Sequence, residues 1–204
     1  MHVFFFVEEA SAEAALQSLV PSIVGSEHTF EIFSFPGKQA LLKRLPSRLA
    51  GYRWVTERED YKIVVLVDRD RDDCKVLKKR LEAIAKQCGL VSKSNSRGSA
   101  GFHILNRVVI EELEAWFFGD VAALLTAYPK LPANLQIKRK LREPDAITDT
   151  WRELERELQL RGYFSSGLAK IEFARSVAVH MDPETNRSAS FRCFRDGLRA
   201  LVSQ

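Results

Sequence analysis

The sequence has 204 residues, of which 46% are hydrophobic and 28% are charged, a composition that supplies a well-packed core and excludes an intrinsically disordered chain. The formal net charge of +4, from 31 Lys and Arg against 27 Asp and Glu, is too small to indicate a nucleic-acid-binding protein by itself. The three cysteines form no CxxC pair, and no apolar stretch approaches the length of a membrane span. We therefore expect no disulfide, no cysteine zinc site and no membrane partner, and predict a cytoplasmic protein.

Apolar strands alternate with amphipathic helices through the first part of the chain. The predicted strands cover residues 3–7, 29–35, 61–67 and 103–110. The predicted helices are a segment from Ser11 onward and residues 39–49, 72–87 and 111–128. The third of these should bury Val76, Leu77, Leu81 and Ile84 on one face. Because the strands are continuously apolar, both faces of the sheet should be covered, and the pattern predicts an α/β fold with a mostly parallel sheet sandwiched by helices.

The chain becomes helical after residue 127. Three further helices are expected, the second of them over residues 167–179 with Ile171 facing the core and the third beginning at Ser188. The first should begin near Thr150, which forms a capping-box pattern with Glu153. We predict an α/β core of residues 1–127 and a helical C-terminal part of residues 128–204 that packs on it to give a single globular unit.

Three aspartates, Asp68, Asp70 and Asp72, follow the most apolar strand at alternate positions. If extended geometry persists, Asp68 and Asp70 project to the same side, and their charges require a cation or a proton between them. Ligands of open α/β sheets bind at the carboxyl ends of the strands, and carboxylate oxygens suit Mg²⁺ or Mn²⁺. The alternative is that the aspartates pair with Arg69 and Arg71 or cap the next helix.

Acids also follow two other predicted strands. Glu8 and Glu9 end the first strand, and Glu13 lies one helical turn beyond Glu9. Glu112 and Glu114 follow the fourth strand, together with Glu111. In a parallel sheet all these strand ends open on one edge, so the acids could converge on one metal. Helix capping and the helix dipole explain each occurrence singly.

The chain resembles a known family over nearly its whole length. The segments that carry this resemblance to the bacterial family of unknown function numbered 4276 are FVEEASAEAAL, FPGKQALLKRLPSRLAGY, VVLVDRDRDDC, NRVVIEELEAWFFGD, YPK, REPDAI, TWRELE and KIEFARSVAVHMDPETNRSASF. In addition, a strand followed by Glu and a later strand ending in DxDxD resemble the Toprim domain. That metal-binding fold is shared by primases, type IA and type II topoisomerases, RecR-type proteins and the overcoming-lysogenisation-defect nucleases.

The Toprim resemblance implies a Mg²⁺ (or Mn²⁺) site with ligands carried over by motif. The implied metal ligands are Glu9, Asp68, Asp70 and Asp72. Glu9 corresponds to the Toprim glutamate because Glu9 and Glu13 reproduce the ExxxE spacing of the nuclease branch, with Glu8 as the other candidate. Ala10 stands where the Toprim pattern usually has glycine.

The same resemblance implies a set of catalytic residues for phosphodiester chemistry. They are Glu9, Glu13, Asp68, Asp70, Glu112, Glu114 and Lys170. Glu112 and Glu114 could bind a second cation, or Glu114 could act as general base, while Lys170 could stabilise negative charge on phosphate. The alternative for Lys170 is an exposed helix residue that pairs with solvent.

A nucleic-acid partner, DNA or RNA, also requires positive charge on the protein. The candidate is the basic run Lys138, Arg139, Lys140 and Arg142, and the alternative is that this run is only a solvated face.

Two functions remain open. One is a metal-dependent nuclease or related phosphotransfer enzyme in phage defence. The resemblance implies a separately encoded ATPase for it, since the lysogenisation-defect nucleases carry one fused, whereas this sequence has no GxxxxGK[ST] loop. The other is a non-catalytic Toprim-like subunit that binds nucleic acid or a partner.

Overall fold

Four parallel strands form the centre of the protein. The computed structural model describes residues 1–58, 61–97 and 101–204, and the side chains of residues 54–58, 136 and 139 lie outside that description. The strands are β1 (His2–Val7), β2 (Thr29–Ser34), β3 (Tyr61–Asp68) and β4 (Ile104–Val109). Their order in the sheet is β2-β1-β3-β4, and every pairing is parallel. The α/β prediction is thus confirmed.

Helices cover both faces of this sheet. On one face lie α2 (Lys38–Arg58) and α3 (Cys74–Gln87), whose Leu45 and Leu81 pack with Phe6 and Val65 of the strands. The other helices are α1 (Ala10–Val24), α4 (Glu114–Gly119), α5 (Val121–Ala127), α6 (Thr150–Gln159), α7 (Lys170–Ala178) and α8 (Ala189–Val202). They share a second hydrophobic cluster with the opposite side chains of the strands. The apolar strands therefore follow from burial on both sides.

The helices after residue 127 pack directly on the α/β core. Helix α7 lies against α1, and α8 lies against β3 and β4. Trp116 of α4 stacks on Phe194 of α8 with ring centroids 5.0 Å apart and donates a hydrogen bond from Nε1 to Ser190 Oγ at 3.0 Å. Ser188 accepts a hydrogen bond from the Phe191 N–H, so it begins α8 as predicted. Every helix of the described residues is too short or too polar to cross a bilayer.

Several details of the predicted helices are wrong. The predicted helix of residues 111–128 is two helices, because Asp120 ends α4 and caps α5 by accepting from the Ala123 N–H. Val76 is 64% exposed, since the buried stripe of α3 follows Leu77 and Leu81 one turn apart. Ile171 is 46% exposed because Phe173, two positions on, faces the core from the other side of α7.

Candidate functional site

The acid-bearing ends of β1 and β3 lie side by side at one edge of the sheet. The two strands are neighbours in the sheet, with Val7 opposite Leu66, so the residues that follow them meet. Glu8 is only 8% exposed, and its Oε2 accepts a hydrogen bond from the Asp68 N–H at 3.1 Å. Acids sixty residues apart along the chain therefore lie together at this edge, and the one that accepts from the Asp68 N–H is Glu8, the alternative to Glu9.

Glu8 also connects this edge to the start of α2. Its backbone carbonyl accepts from the Gly37 N–H at 3.1 Å. Burial raises the pKa of the Glu8 carboxyl, while hydrogen bonds from the backbone N–H groups of Asp68 and Lys38 and the charge of Lys38 act in the opposite direction. Glu8 therefore holds the ends of β1 and β3 and the first residue of α2 together.

Asp68 is an acid of the cluster whose carboxyl group has no direct partner among the described side chains. Among the described residues, no side chain forms a hydrogen bond or an ion pair with its carboxyl group. Burial raises the pKa of Asp68 well above its ordinary value, and the neighbouring carboxyls of Glu114, Glu8, Asp70 and Glu9 raise it further. An ionised Asp68 thus has no described cation in direct contact with it, although the charges of Lys170 and Asp68 attract each other.

Asp70 and Asp72 are bridged by a lysine. Lys38, which is 8% exposed, donates from Nζ to Asp70 Oδ2 at 2.7 Å, to Asp72 Oδ2 at 2.8 Å and to the Arg69 carbonyl at 3.0 Å. Burial lowers the pKa of Lys38, but the hydrogen bonds to the two aspartates outweigh it and leave the pKa above its ordinary value. Asp72 precedes α3, whose N-cap is Asp73 instead.

The arginines between these aspartates bind elsewhere. Arg69 forms an ion pair with Glu111, and Arg71, which is 92% exposed at its side chain, lies 4.0 Å from Asp149. The backbone N–H groups of Arg69 and Asp70 donate to the carbonyls of Val109 and Glu111, both at 2.9 Å. The segment after β4 therefore fixes the position of the aspartate loop, and Arg69 and Arg71 do not neutralise Asp68 or Asp70.

A second lysine bridges Glu9 and Glu114. Lys170 Nζ lies 3.5 Å from Glu114 Oε1 and 3.7 Å from Glu9 Oε2, and it also lies over the Trp151 ring at 5.4 Å from the centroid. Burial lowers the pKa of Lys170, but the charges of Glu114 and Glu9 outweigh that effect and raise it. Lys170 is therefore part of the acid cluster, whereas Ile171, the next residue, is on the solvent side.

Glu114 is buried and has a pKa near neutrality. Its side chain is 4% exposed. Burial raises the pKa of Glu114 to about 7, with Lys170 acting against the rise and Glu112 and Glu9 adding to it. A carboxyl group with this pKa can take up and release a proton near neutral pH, as a general acid or base must.

Two of the predicted catalytic residues have other partners. Glu112 Oε2 accepts from Thr150 Oγ1 at 2.7 Å and from the Trp151 N–H at 3.0 Å, so it caps the start of α6 in place of the predicted capping box. Glu13 accepts from Ser34 Oγ at 2.5 Å at the end of β2. Glu112 and Glu13 thus connect the cluster to α6 and β2.

Replacing Thr150 by Val is expected to lower the free energy of unfolding by about 2 kcal/mol, because the fully buried Thr150 donates to a carboxylate. Urea denaturation measures this loss. The matched control is Thr126→Val, which removes an exposed hydrogen bond to the Ala122 carbonyl and should cost less than about 0.5 kcal/mol. Equal losses in the two variants would contradict a stabilising role for the Thr150–Glu112 bond.

The aspartate loop, the start of α2 and the segment after β4 enclose a cleft of about 540 Å³. Its walls are residues 36–39, 70–72, 111 and 112, with Asp149 at the rim. Within the described part of the chain, no three His, Cys, Asp or Glu side chains are grouped closely enough to hold one metal ion. Four of the carboxylates instead share two lysines, with Lys38 between Asp70 and Asp72 and Lys170 between Glu9 and Glu114.

Comparison with known proteins identifies the family. The model of a domain of unknown function, DUF4276, matches residues 7–201, which is nearly the whole chain. The chain belongs to the DUF4276 family. Neither the comparison with curated proteins nor that with solved structures gives a match.

Lys38 is the residue of the DUF4276 protein that sequence reasoning missed. The signal was present in the segment FPGK, because a lysine that opens a helix directly after a strand lies at the same sheet edge as the aspartates. The contacts of Lys38 with Asp70 and Asp72, which lie thirty-two and thirty-four positions further along the chain, could not be inferred from the spacing of residues.

Two of the four cations in the basic run of the DUF4276 protein form ion pairs. Lys138 Nζ donates to both carboxylate oxygens of the buried Glu157 at 2.8 and 2.7 Å, and Lys140 pairs with Glu153. Arg142 is exposed, and the side chain of Arg139 lies outside the described residues. Lys138 and Lys140 therefore hold their segment onto α6.

Proposed function

We propose that this DUF4276 protein is a Toprim-like, metal-dependent phosphodiesterase that acts on nucleic acid. The observation that carries the proposal is the carboxyl group of Asp68, which has four carboxyl neighbours and no direct ion pair or hydrogen bond with a described cationic side chain. Like charges at such spacing are costly unless a proton or a cation relieves them. A strongly perturbed acid at the carboxyl edge of a parallel sheet, next to a cleft, is typical of a functional site.

The donor chemistry of the cluster fits Mg²⁺ or Mn²⁺. All its candidate ligands are carboxylate oxygens, which these hard cations prefer. Asp68 and Glu9 would hold the ion together with Asp70, and Asp72 and Glu114 are the further candidates. A bound ion would polarise the phosphate and lower the pKa of a coordinated water. For the ligands to close on one ion, Lys38 or Lys170 has to leave its present carboxylate pair.

The remaining side chains have roles that follow from their positions. Glu8 positions Asp68 through the hydrogen bond from the Asp68 N–H. Glu114, with a pKa of about 7, would accept a proton from the attacking water. Lys170 and Lys38, once released by the carboxylates, would face the negative charge of the phosphate.

A non-catalytic subunit is the second candidate, and one observation favours it. Lys38 and Lys170 each contact two carboxylates and so compensate part of the negative charge of four acids. Such pairs could serve stability alone, with the fold binding nucleic acid or a partner such as a separately encoded ATPase. This candidate requires no metal affinity.

A cleavage assay separates the two candidates. Labelled DNA and RNA, single-stranded and duplex, are incubated with the protein in Mg²⁺, in Mn²⁺ and in EDTA. The proposal predicts cleavage that depends on the metal and is lost in Glu9→Ala. Intact substrates under all conditions, with binding that neither metal nor Glu9→Ala changes, would support the non-catalytic subunit.

A further inference from the structure

Helices α2 and α3 carry a concentration of positive charge that the proposed active site does not use. Between residues 38 and 53, α2 contains five Lys and Arg and no Asp or Glu. Helix α3 contains five Lys and Arg and a single acid, Glu82. Glu82 is 14% exposed and faces inward, where it pairs with Lys78 and accepts from Ser94.

The cations of this layer point to solvent. The exposed ones, here called the α2–α3 surface, are Lys43, Arg44, Arg48, Arg53, Lys75, Lys79, Arg80 and Lys86. Arg53 lies against Gly89 at the end of α3, and Arg48 lies over the Phe33 ring at 5.9 Å. Arg53 aside, none of the eight forms an ion pair with a described acidic side chain. The charge of the other seven is therefore available to a partner.

Several cations on the opposite layer have acidic partners. Arg195 and Arg199 pair with Glu184, Arg156 pairs with Glu153, and Lys138 pairs with Glu157. The net charge of the chain is only +4, but positive charge is concentrated on the α2–α3 layer, whereas the opposite layer carries both cations and acids. Such one-sided charge raises the local potential far above what the net charge implies.

The α2–α3 surface is continuous with the cleft. Both helices begin at the carboxyl edge of the sheet, where Lys38 opens α2 and Asp73 caps α3. They remain adjacent, because Cys88 Sγ lies 3.5 Å from the Pro46 carbonyl across the pair. From Lys43 to Arg53 the surface runs about 15 Å, a length over which a nucleic-acid duplex carries about nine phosphates.

We propose that the α2–α3 surface binds the phosphate backbone of a nucleic-acid duplex and leads it to the cleft. Single-strand binders stack bases on aromatic side chains. Among the described side chains of α2 and α3, the one aromatic ring, Tyr52, packs on Phe4 at 4.5 Å. A rigid pair of helices with cations and no exposed described aromatic fits backbone contacts to a duplex. The inference rests on the proposed function for the nature of the substrate.

The test is a binding measurement on the full chain in EDTA, by fluorescence anisotropy with short DNA and RNA duplexes over a range of salt concentrations. One variant combines Lys43→Gln, Arg44→Gln, Lys79→Gln and Arg80→Gln. The control combines Lys130→Gln, Arg161→Gln, Arg175→Gln and Arg192→Gln, which removes the same charge from exposed positions elsewhere. Thermal unfolding confirms that both variants fold.

The first variant is expected to bind a duplex at least about tenfold more weakly, with the slope of log K against log salt reduced by about 2 to 4, and the control to stay within about threefold. Equal losses in both variants, no duplex binding by the parent, or tighter binding of single strands would overturn the inference. So would binding to anionic phospholipid vesicles in place of duplexes.

Because duplex binding is measured in EDTA, its result is independent of the metal-dependent cleavage assay. A parent that binds through the α2–α3 surface but cleaves nothing contradicts the proposed activity and leaves the surface intact. A parent that cleaves, with duplex binding that the first variant does not weaken, contradicts the surface alone.

Discussion

Asp68→Asn is expected to abolish metal-dependent cleavage while stabilising the metal-free protein. Activity should fall at least about 10³-fold, because a bound cation supplies several kcal/mol of transition-state stabilisation. Stability should rise at pH 8, since the pKa of Asp68 is raised by burial and by four carboxyl neighbours, so the folded state binds its proton more tightly than the unfolded chain. An uncharged amide removes that cost.

Cleavage rates and thermal unfolding of the same preparations measure the two effects. A melting temperature raised by several degrees at pH 8 and not at pH 4 is expected. The control is Asp196→Asn, which neutralises an exposed aspartate on α8 that pairs with Arg195. If Asp68→Asn lowers stability at pH 8 in the absence of metal, the carboxylate is compensated in the folded protein and the central argument is wrong.

Glu114→Gln is expected to remove a pH dependence of stability between about pH 4.5 and 7. The pKa of Glu114 is raised from 4.5 to about 7, chiefly by burial, so the folded protein holds this proton more tightly than the unfolded chain. The contribution is fully present below the unfolded pKa and is lost as the pH rises through 7. The variant should therefore be more stable than the parent above pH 7, by about 3 kcal/mol, and equally stable at pH 4.

Urea denaturation at intervals between pH 4 and pH 9 gives this difference directly. Glu143→Gln, at an exposed position, serves as the control and should leave the pH profile of the parent unchanged. In the cleavage assay, the parent rate should rise with pH through about 7 and the Glu114→Gln rate should be low and flat. A variant whose stability follows the same pH profile as the parent would show that Glu114 ionises as an exposed carboxyl does.

The sequence was sufficient to predict the parallel sheet and to place its acids at one edge. Continuous apolar runs indicated strands buried on both faces, and parallel connections place every carboxyl end at the same edge. The contact between Glu8 and Asp68 depends in addition on the strand order, which sets β1 beside β3. Periodicity also located α3 and α8, although it put Val76 on the buried face. The spacing of polar residues did not determine whether Val76 or Leu77 lies at the centre of the buried face, and the packing of α3 on the sheet buries Leu77 and exposes Val76.

The partners of the acids could not be predicted in the same way. Lys38 bridges Asp70 and Asp72, Glu112 caps α6, and Arg69 pairs with Glu111. Each of these contacts depends on which loops cross the edge of the sheet and on how they are positioned relative to the strand ends. Spacing along the chain carries no such information, because a charged side chain can reach any of several neighbours once the loops are in place.

The most direct test of the metal proposal is a crystal structure of the protein grown with Mn²⁺ and measured for anomalous scattering. We expect a peak bound to the carboxyl group of Asp68, with Lys38 or Lys170 moved out of its carboxylate pair. Crystals without a peak at this edge, in which Lys38 still bridges Asp70 and Asp72 and Lys170 still bridges Glu9 and Glu114, would contradict it.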